Sequence, residues 1–478
     1  MILLVAACAD PPREGPPNLV LVSIDGFRGD HAGHAGNPNA PTPTLDRLAS
    51  EGQRFTRAFS QSNESLFSHA SLLTGRYVSE VAAPDYRTMT VPDGTQLVGE
   101  VLKVYGYDTA AFVAGGHVRS AYGFAQGFDV YRDDHDFGAF FHTVPEALAW
   151  LDAREGDAPF FLFLHGYDCH RPYVHGGVFE HVYGADYTGE VDALLRKRTS
   201  TEQVYRGRFY PDFSLLKFEH HAGDPIIDPE GYLRIASYAG EGHEGVALTD
   251  ADFRHLRDHY DGGALAADLQ IGRFVNGLRD RGLLDDTLMV LTADHGEDLH
   301  DHGYLNHRAV LRDSTTHVPL VIRGPGVAPG VREDLAEAID VVPTLLAAAG
   351  AEPPAGLRGR DLLGDAPAAT MVVQEGVLPH LSARTATHRL VFVGVPLAFP
   401  LFDLALKSAP VEPPWFELYD LAADPGETHN VVTQQVEQAK ALRDALVAWR
   451  GAVPRSAWRG QQPQDPALRE ILRARGYW

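Results

Sequence analysis

Short, nearly uninterrupted apolar runs alternate along this chain with stretches in which apolar side chains recur at helical spacing. The run from Asn18 to Ile24 (NLVLVSI) predicts a buried strand that ends at Asp25. Thr109 to Ala114 (TAAFVA), Phe160 to Leu164 (FFLFL), Thr287 to Thr292 (TLMVLT) and Val318 to Ile322 (VPLVI) predict further strands. Their apolar character is continuous rather than alternating, which implies a parallel sheet covered on both faces. Between them lie helical patterns. Thr44 to Glu51 predicts a helix with Thr44 as N-cap and Gly52 just past its end. Ala264 to Asp280 carries Leu265, Leu269, Phe274 and Leu278 on roughly one face. Strands alternating with helices in this way predict a doubly wound α/β fold.

The rhythm breaks in three places. From about 192 to 245 the chain is basic and aromatic, then rich in Gly and His, which predicts an insertion on the core; Arg196-Lys197-Arg198 and His220-His221 lie in it and are read as surface residues. Beyond Gly350, Pro/Gly-rich segments and shorter strands such as Arg389 to Val393 predict a smaller α+β subdomain, closed by an amphipathic helix from Val432 to Trp449. At the N-terminus, Val5-Ala6-Ala7-Cys8 fits a bacterial lipoprotein cleavage box, and the polar, proline-rich residues to Pro17 fit a tether. The expected organisation is therefore signal and tether over 1–17, a catalytic domain over 18–350 and a C-terminal subdomain over 351–478. A lipid on Cys8 would attach the protein to the bacterial cell envelope.

Composition narrows the chemistry. The 478 residues carry 41 basic and 64 acidic side chains, a net charge of −23 that argues against nucleic acid as a partner. Two cysteines exclude a disulfide framework and a thiolate zinc cluster. A bound metal would need carboxylates, imidazoles and hydroxyls.

Those groups collect where ligands bind in open α/β sheets, at the carboxyl ends of strands. Asp25 follows the first strand; His165, Asp168 and His170 follow FFLFL; Asp294-His295 follows TLMVLT, with His302 and His307 beyond. Carboxylates with an imidazole suit Ca²⁺, Mn²⁺ or Zn²⁺. The second informative segment, SLFSHASLLTGR, predicts a helix capped by Ser65 and stopped at Gly75, with His69 four residues on and on the same face. A hydroxyl at a helix N-terminus sits where negative charge is favoured.

Together these stretches resemble the sulfatase family of the alkaline phosphatase superfamily. NLVLVSIDGFRGDH, TPTLDRLASEGQRFTRAFS, SLFSHASLLTGR, FFLFLHGYDCHRPY, GLLDDTLMVLTADHGED, HVPLVIRGPG and ELYDLAADPGETHN carry the resemblance in order, from about Asn18 to Asn430. It implies a three-layer α/β/α sandwich with a mostly parallel sheet and a smaller C-terminal subdomain. It also implies that Asp25, Ser65, Asp294 and His295 hold a divalent cation, with a second cation as an alternative, and that Ser65 is the nucleophile. His69 would face the ester oxyanion, and His170 or His307 would protonate the leaving oxygen.

Two departures matter. Sulfatases mature a Cys-x-Pro-x-Arg segment into formylglycine, whereas Ser65-Leu66-Phe67-Ser68-His69 lacks the proline and the arginine, so Ser65 stays a serine. Many sulfatases carry a second aspartate directly after the first; here it is Gly26. The family's lysine is also missing near Ala114-Gly115-Gly116-His117, which leaves His117 as a candidate substrate contact. The resemblance implies hydrolysis of small-molecule or glycan sulfate esters. Phosphate mono- or diester hydrolysis is the alternative, because a serine sulfate has no hemiacetal to collapse. A glycan-binding protein without activity is the reading from another class. Mass spectrometry of protein expressed with its own N-terminus is expected to show a mature chain beginning at lipidated Cys8; soluble protein beginning at Met1 would contradict this.

Overall fold

The computed structural model describes residues 15–39, 41–81, 90–171, 173, 179, 181–189, 191, 248–303, 305–308, 311–376, 380–393, 406–413 and 415–456, with the backbone of short strands within 203–247. Cys8, Arg196-Lys197-Arg198 and His220-His221 lie outside the described side chains.

The central sheet has nine strands: β1 (Asn18–Ile24), β2 (Gln53–Phe59), β3 (Asp108–Phe112), β4 (Val130–Arg132), β5 (Phe160–Gly166), β6 (Thr287–Ala293), β7 (His317–Arg323), β8 (Gly330–Arg332) and β9 (Ala336–Glu337). Their order is β8-β2-β7-β6-β1-β5-β3-β4, with β9 also on β2. The centre from β6 to β4 is parallel, as expected. The expected strand around Val318 forms β7, but it runs antiparallel to β6 and to β2. A continuous apolar run reports burial on both faces, not direction. Every residue of β1, β5 and β6 is buried.

Two groups of helices cover the sheet. On one side α1 (Pro43–Glu51), α3 (Phe140–Ala153) and α4 (Asp250–Asp280) pack on one another; on the other, α2 (Ser65–Thr74) packs against α5 (Val341–Ala348). This is the expected three-layer sandwich. Helix α1 begins at Pro43 after Thr42, not at Thr44. Its N-terminal amides of Thr44 and Leu45 are bonded by the Asp268 carboxylate of α4, both at 2.8 Å, so a distant side chain replaces the expected cap. Helix α4 begins 14 residues before the expected Ala264, where Thr249 and Asp252 form a capping box. Its N-terminal half buries His255, His259 and Asp261 and contains Gly262-Gly263, a pattern that apolar periodicity does not register.

The C-terminal region forms a four-stranded antiparallel sheet, β10 (Val372–Glu375), β11 (His380–Arg384), β12 (His388–Val393) and β13 (Phe416–Asp420), in sequential order. Helix α6 (Val436–Ala452) packs on it through Ala439, Leu442 and Leu446. It starts later than Val432 because Asn430 Oδ1 accepts from the Val432 amide and holds that turn.

Arg389 of β12 is fully buried and ties this sheet to the main one. Its guanidinium donates to Gln374 Oε1 at 2.6 Å and to Ser382 Oγ at 3.1 Å, and pairs with Asp313 and, at 2.6 Å, with Glu427. Removing one partner of a buried ion pair strands the other charge. Arg389→Met is therefore expected to destabilise the fold by about 3–5 kcal/mol, read as a lowered denaturation midpoint.

Candidate active site

The register of β1 builds the site. Ile24 pairs with Ala293 of β6 and with Gly166 of β5, so the three strands end level. Asp25 and Asp294 leave side by side, one residue past that line. Asp294 Oδ1 accepts from the Gly26 amide at 2.9 Å and the His295 amide at 2.8 Å. Tyr260 of α4 locks the loop after β1: its hydroxyl donates to Gly26 O at 2.7 Å and accepts from the Arg28 amide at 2.8 Å.

Asp25, Asp294 and His295 are fully buried and each offers a ligand atom within 4.8 Å of the others. Both Asp25 oxygens and Asp294 Oδ2 have no hydrogen-bond partner. Buried carboxylate oxygens are normally paired, so this donor set fits a cation. The two carboxylates split: burial and the charge of Asp294 push Asp25 well above the usual carboxylate range. His295 and His69 beside Asp294, with the Gly26 amide bonded to it, outweigh burial and hold it below that range. His295 Nδ1 lies 2.8 Å from Gly296 O. A carbonyl only accepts, so Nδ1 carries the proton and Nε2 turns its lone pair towards the cluster.

Ser65 is the first helical residue of α2, after Glu64 in extended conformation. It is thus one position inside the helix rather than its cap. Gly75 ends the helix in the left-handed region, as expected. Ser65 Oγ lies 3.2 Å from His295 Nε2, so the four expected ligands converge.

His69 does not face the ester side. Its Nδ1 donates to Ser65 O at 2.8 Å and its Nε2 accepts from Ser23 Oγ at 3.0 Å. Both ring nitrogens are committed, one turn below the nucleophile, so His69 positions Ser65 rather than meeting the substrate.

His170 and His307 stand together, with ring centroids 5.7 Å apart, and His307 stacks near His295 at 4.2 Å. Burial, with His307 beside it, pulls His170 down to about 3; burial and His295 likewise pull His307 well down. Both are neutral imidazoles near pH 7. His117 reaches Glu64 Oε1 at 3.1 Å. The other strand-end residues have structural partners. Asp168 caps α3 through the Phe140 amide at 2.9 Å, and burial raises it to about 7. His302 pairs with Asp298 and with Gly426 O. The buried thiol of Cys169 is pushed up and is inert.

Sequence reasoning misplaced one member and missed two. His165 is the sixth residue of β5 rather than a residue beyond it, and its Nε2 lies 3.7 Å from Asp25 Oδ2. Glu64 is fully buried and takes a two-pronged pair from Arg308, at 2.5 and 2.9 Å. Glu297 is fully buried and accepts from His307 Nδ1 at 3.1 Å. In sequence these carboxylates look like surface residues; only the partners that the fold brings to them reveal them.

The chain is similar to known proteins. The sequence model of the Sulfatase family matches residues 17–351. The N-acetylglucosamine-6-O-sulfatase of Bacteroides thetaiotaomicron is 26% identical over 511 residues, covering 93% of this chain and 88% of that one. Among solved structures, BT4656 in complex with its substrate D-glucosamine-2-N,6-O-disulfate superimposes with a TM-score of 0.70 at 21% identity, covering 91% of this chain and 98% of that one. The phosphonate monoester hydrolase of Agrobacterium radiobacter superimposes with a TM-score of 0.66 at 22% identity, covering 92% and 96%.

Burial and Asp294 favour a proton on Asp25, and a cation bound there would displace it. Calorimetric titration with Mn²⁺ is expected to release about one proton per ion. Affinity should then fall as pH is lowered, by up to about tenfold per pH unit wherever Asp25 is protonated in the metal-free protein.

Proposed function

We propose that this chain, which belongs to the sulfatase family, hydrolyses singly charged esters, sulfate monoesters of sugars or small molecules first among them, through an attack by Ser65. The observation that carries this reading is the Ser65 hydroxyl at the first turn of α2, 3.2 Å from His295 Nε2 and beside the Asp25–Asp294 pair. The sulfated glucosamine bound by BT4656 and the sugar sulfate in the name of the Bacteroides relative support a glycan substrate.

Asp25, Asp294, His295 and Ser65 Oγ would hold the divalent cation. Two carboxylates and an imidazole suit Mn²⁺ or Zn²⁺ better than Ca²⁺, which prefers an all-oxygen shell. When bound, such an ion lowers the pKa of a hydroxyl and neutralises charge on an ester. The protein does the rest. Helix α2 presents its N-terminal amides to the ester oxygens. Ser65 releases its hydroxyl proton to solvent, Oγ forms a bond to the central sulfur as the bond to the alcohol oxygen breaks, and the alcohol leaves with a proton from His170 or His307. Both imidazoles start neutral. An anionic ester bound beside them favours their protonated form, so proton uptake accompanies substrate binding. Water then cleaves the serine ester, and the same imidazole recovers its proton by accepting one from that water.

A second reading rests on the nucleophile. Serine has no hemiacetal route for expelling sulfate, whereas a serine phosphate is open to attack at phosphorus. Phosphate diesters and phosphonate monoesters are also singly charged, and the phosphonate monoester hydrolase shares the fold. Turnover of an aryl sulfate, an aryl phosphate and a bis-aryl phosphate with Mn²⁺, Zn²⁺ or Ca²⁺ separates these readings. Aryl sulfate hydrolysis is expected, and Ser65→Ala should lower kcat on the order of 10³-fold or more. Activity on phosphates alone would establish the second reading. An unchanged Ser65→Ala would remove Ser65 from the mechanism.

A further inference from the structure

The cation site draws only two carboxylates from the strand ends, and the residue after the first of them is Gly26. What stands in front of Gly26 is another carboxylate. A Cβ built on Gly26 would lie 3.7 Å from Glu297 Oε2 and 3.9 Å from His295 Cε1. The space beside Asp25 that a side chain at position 26 would enter is thus bordered by Glu297 and by the ligand His295. Glu297 is fully buried; Oε2 accepts from His307, and the Tyr173 hydroxyl and the Arg171 charge lie near, yet its Oε1 has no hydrogen-bond partner. A buried carboxylate with an unused oxygen is costly unless a positive charge meets it. The same unmet oxygens mark Asp25 and Asp294.

We infer that Glu297 supplies a third carboxylate beside the Asp25–Asp294–His295 cation site, standing in for an acidic side chain at position 26. The inference rests on the cation site proposed above. The chain keeps the negative charge that a divalent ion needs but delivers it from the loop after β6 instead of from the loop after β1. Glycine at position 26 leaves room for that delivery. It also suits a backbone with φ of +67°, which most side chains resist. Because the same carboxylate accepts from His307, it couples the cation to that histidine.

The test is calorimetric titration of chelator-treated protein with Mn²⁺, with circular dichroism to verify folding of each variant. Glu297→Gln is expected to weaken Mn²⁺ binding at least tenfold. Gly26→Asp placed in the Glu297→Gln background is expected to recover most of that loss, since aspartate is among the residues that tolerate a left-handed backbone. If Glu297→Gln does not fold, Glu297→Asp serves instead, with an expected loss of several-fold from its shorter reach. Binding within twofold of the parent in a folded Glu297 variant, while Asp25→Asn loses it, would overturn the role of Glu297 and leave the cation site standing. Tight binding retained by Asp25→Asn would overturn the cation site itself. A folded double variant that stays as weak as Glu297→Gln would overturn the placement at position 26.

Discussion

Two carboxylates that emerge side by side from adjacent buried strands repel each other, and each costs several kcal/mol to take out of water. Asp25 and Asp294 are held in that position by the register of β1 against β6. The cost is met in parts. Two backbone amides satisfy one oxygen of Asp294. Asp25 receives no hydrogen bond, and burial with Asp294 beside it favours its protonated form. The continuous apolar burial of β1, β5 and β6 supplies the cohesion that keeps the strand ends level against this repulsion. Tyr260, from a helix on one face of the sheet, then fixes the loop that carries Gly26 and Arg28. The site is a point of local instability maintained by the most stable part of the fold, as preorganised binding sites require.

The same physics decides what could be read in advance. A buried parallel strand announces its end by the first charge after an apolar run, so Asp25 and Asp294 were legible, and their adjacency followed from the topology. The end of β5 was not, because His165 and Gly166 continue the strand without continuing the apolar run. Strand direction at β7 was silent for the reason that helped elsewhere: burial on both faces looks alike in either direction. Helix caps misled twice. The Thr44 hydroxyl and the Ser65 hydroxyl each sit near a helix start, yet α1 is capped from Asp268 and α2 follows Glu64 with no side-chain cap.

Glu64 and Glu297 show a different limit. Hydrophobic patterning assigns glutamate to the surface. What keeps Glu64 inside is Arg308, which lies 244 residues along the chain. Its pKa, against the pull of burial, stays well below the usual range because Arg308 and His117 face it. For Glu297 the partner is only ten residues away, but the turn between the short strands Asp298–Leu299 and Leu305–Asn306 is what brings His307 back to it. Long-range pairing of charges is a property of the assembled fold, and no local window contains it.

Charge also orders the chemistry. Asp25, Asp294, Glu64 and Glu297 are all fully buried around the start of α2. Arg308 is committed to Glu64 through both prongs of its guanidinium, and burial keeps His165, His170 and His307 neutral. At the position where sulfatases of the formylglycine type carry an arginine, His69 spends both nitrogens on Ser23 and Ser65. Among the described residues, Arg171 is the guanidinium whose charge reaches His170, His307 and Glu297; the helix amides and a cation on the carboxylates would add to it. Each further negative charge on the substrate adds to a low-dielectric site that already holds four carboxylates, where Coulomb terms are many times larger than in water. A sulfate monoester and a phosphate diester add one charge, and a phosphate monoester adds two near neutral pH. A histidine committed to Ser23 and Ser65 in place of an arginine, among four carboxylates, is thus what underlies the proposed preference for singly charged esters, whichever element lies at their centre.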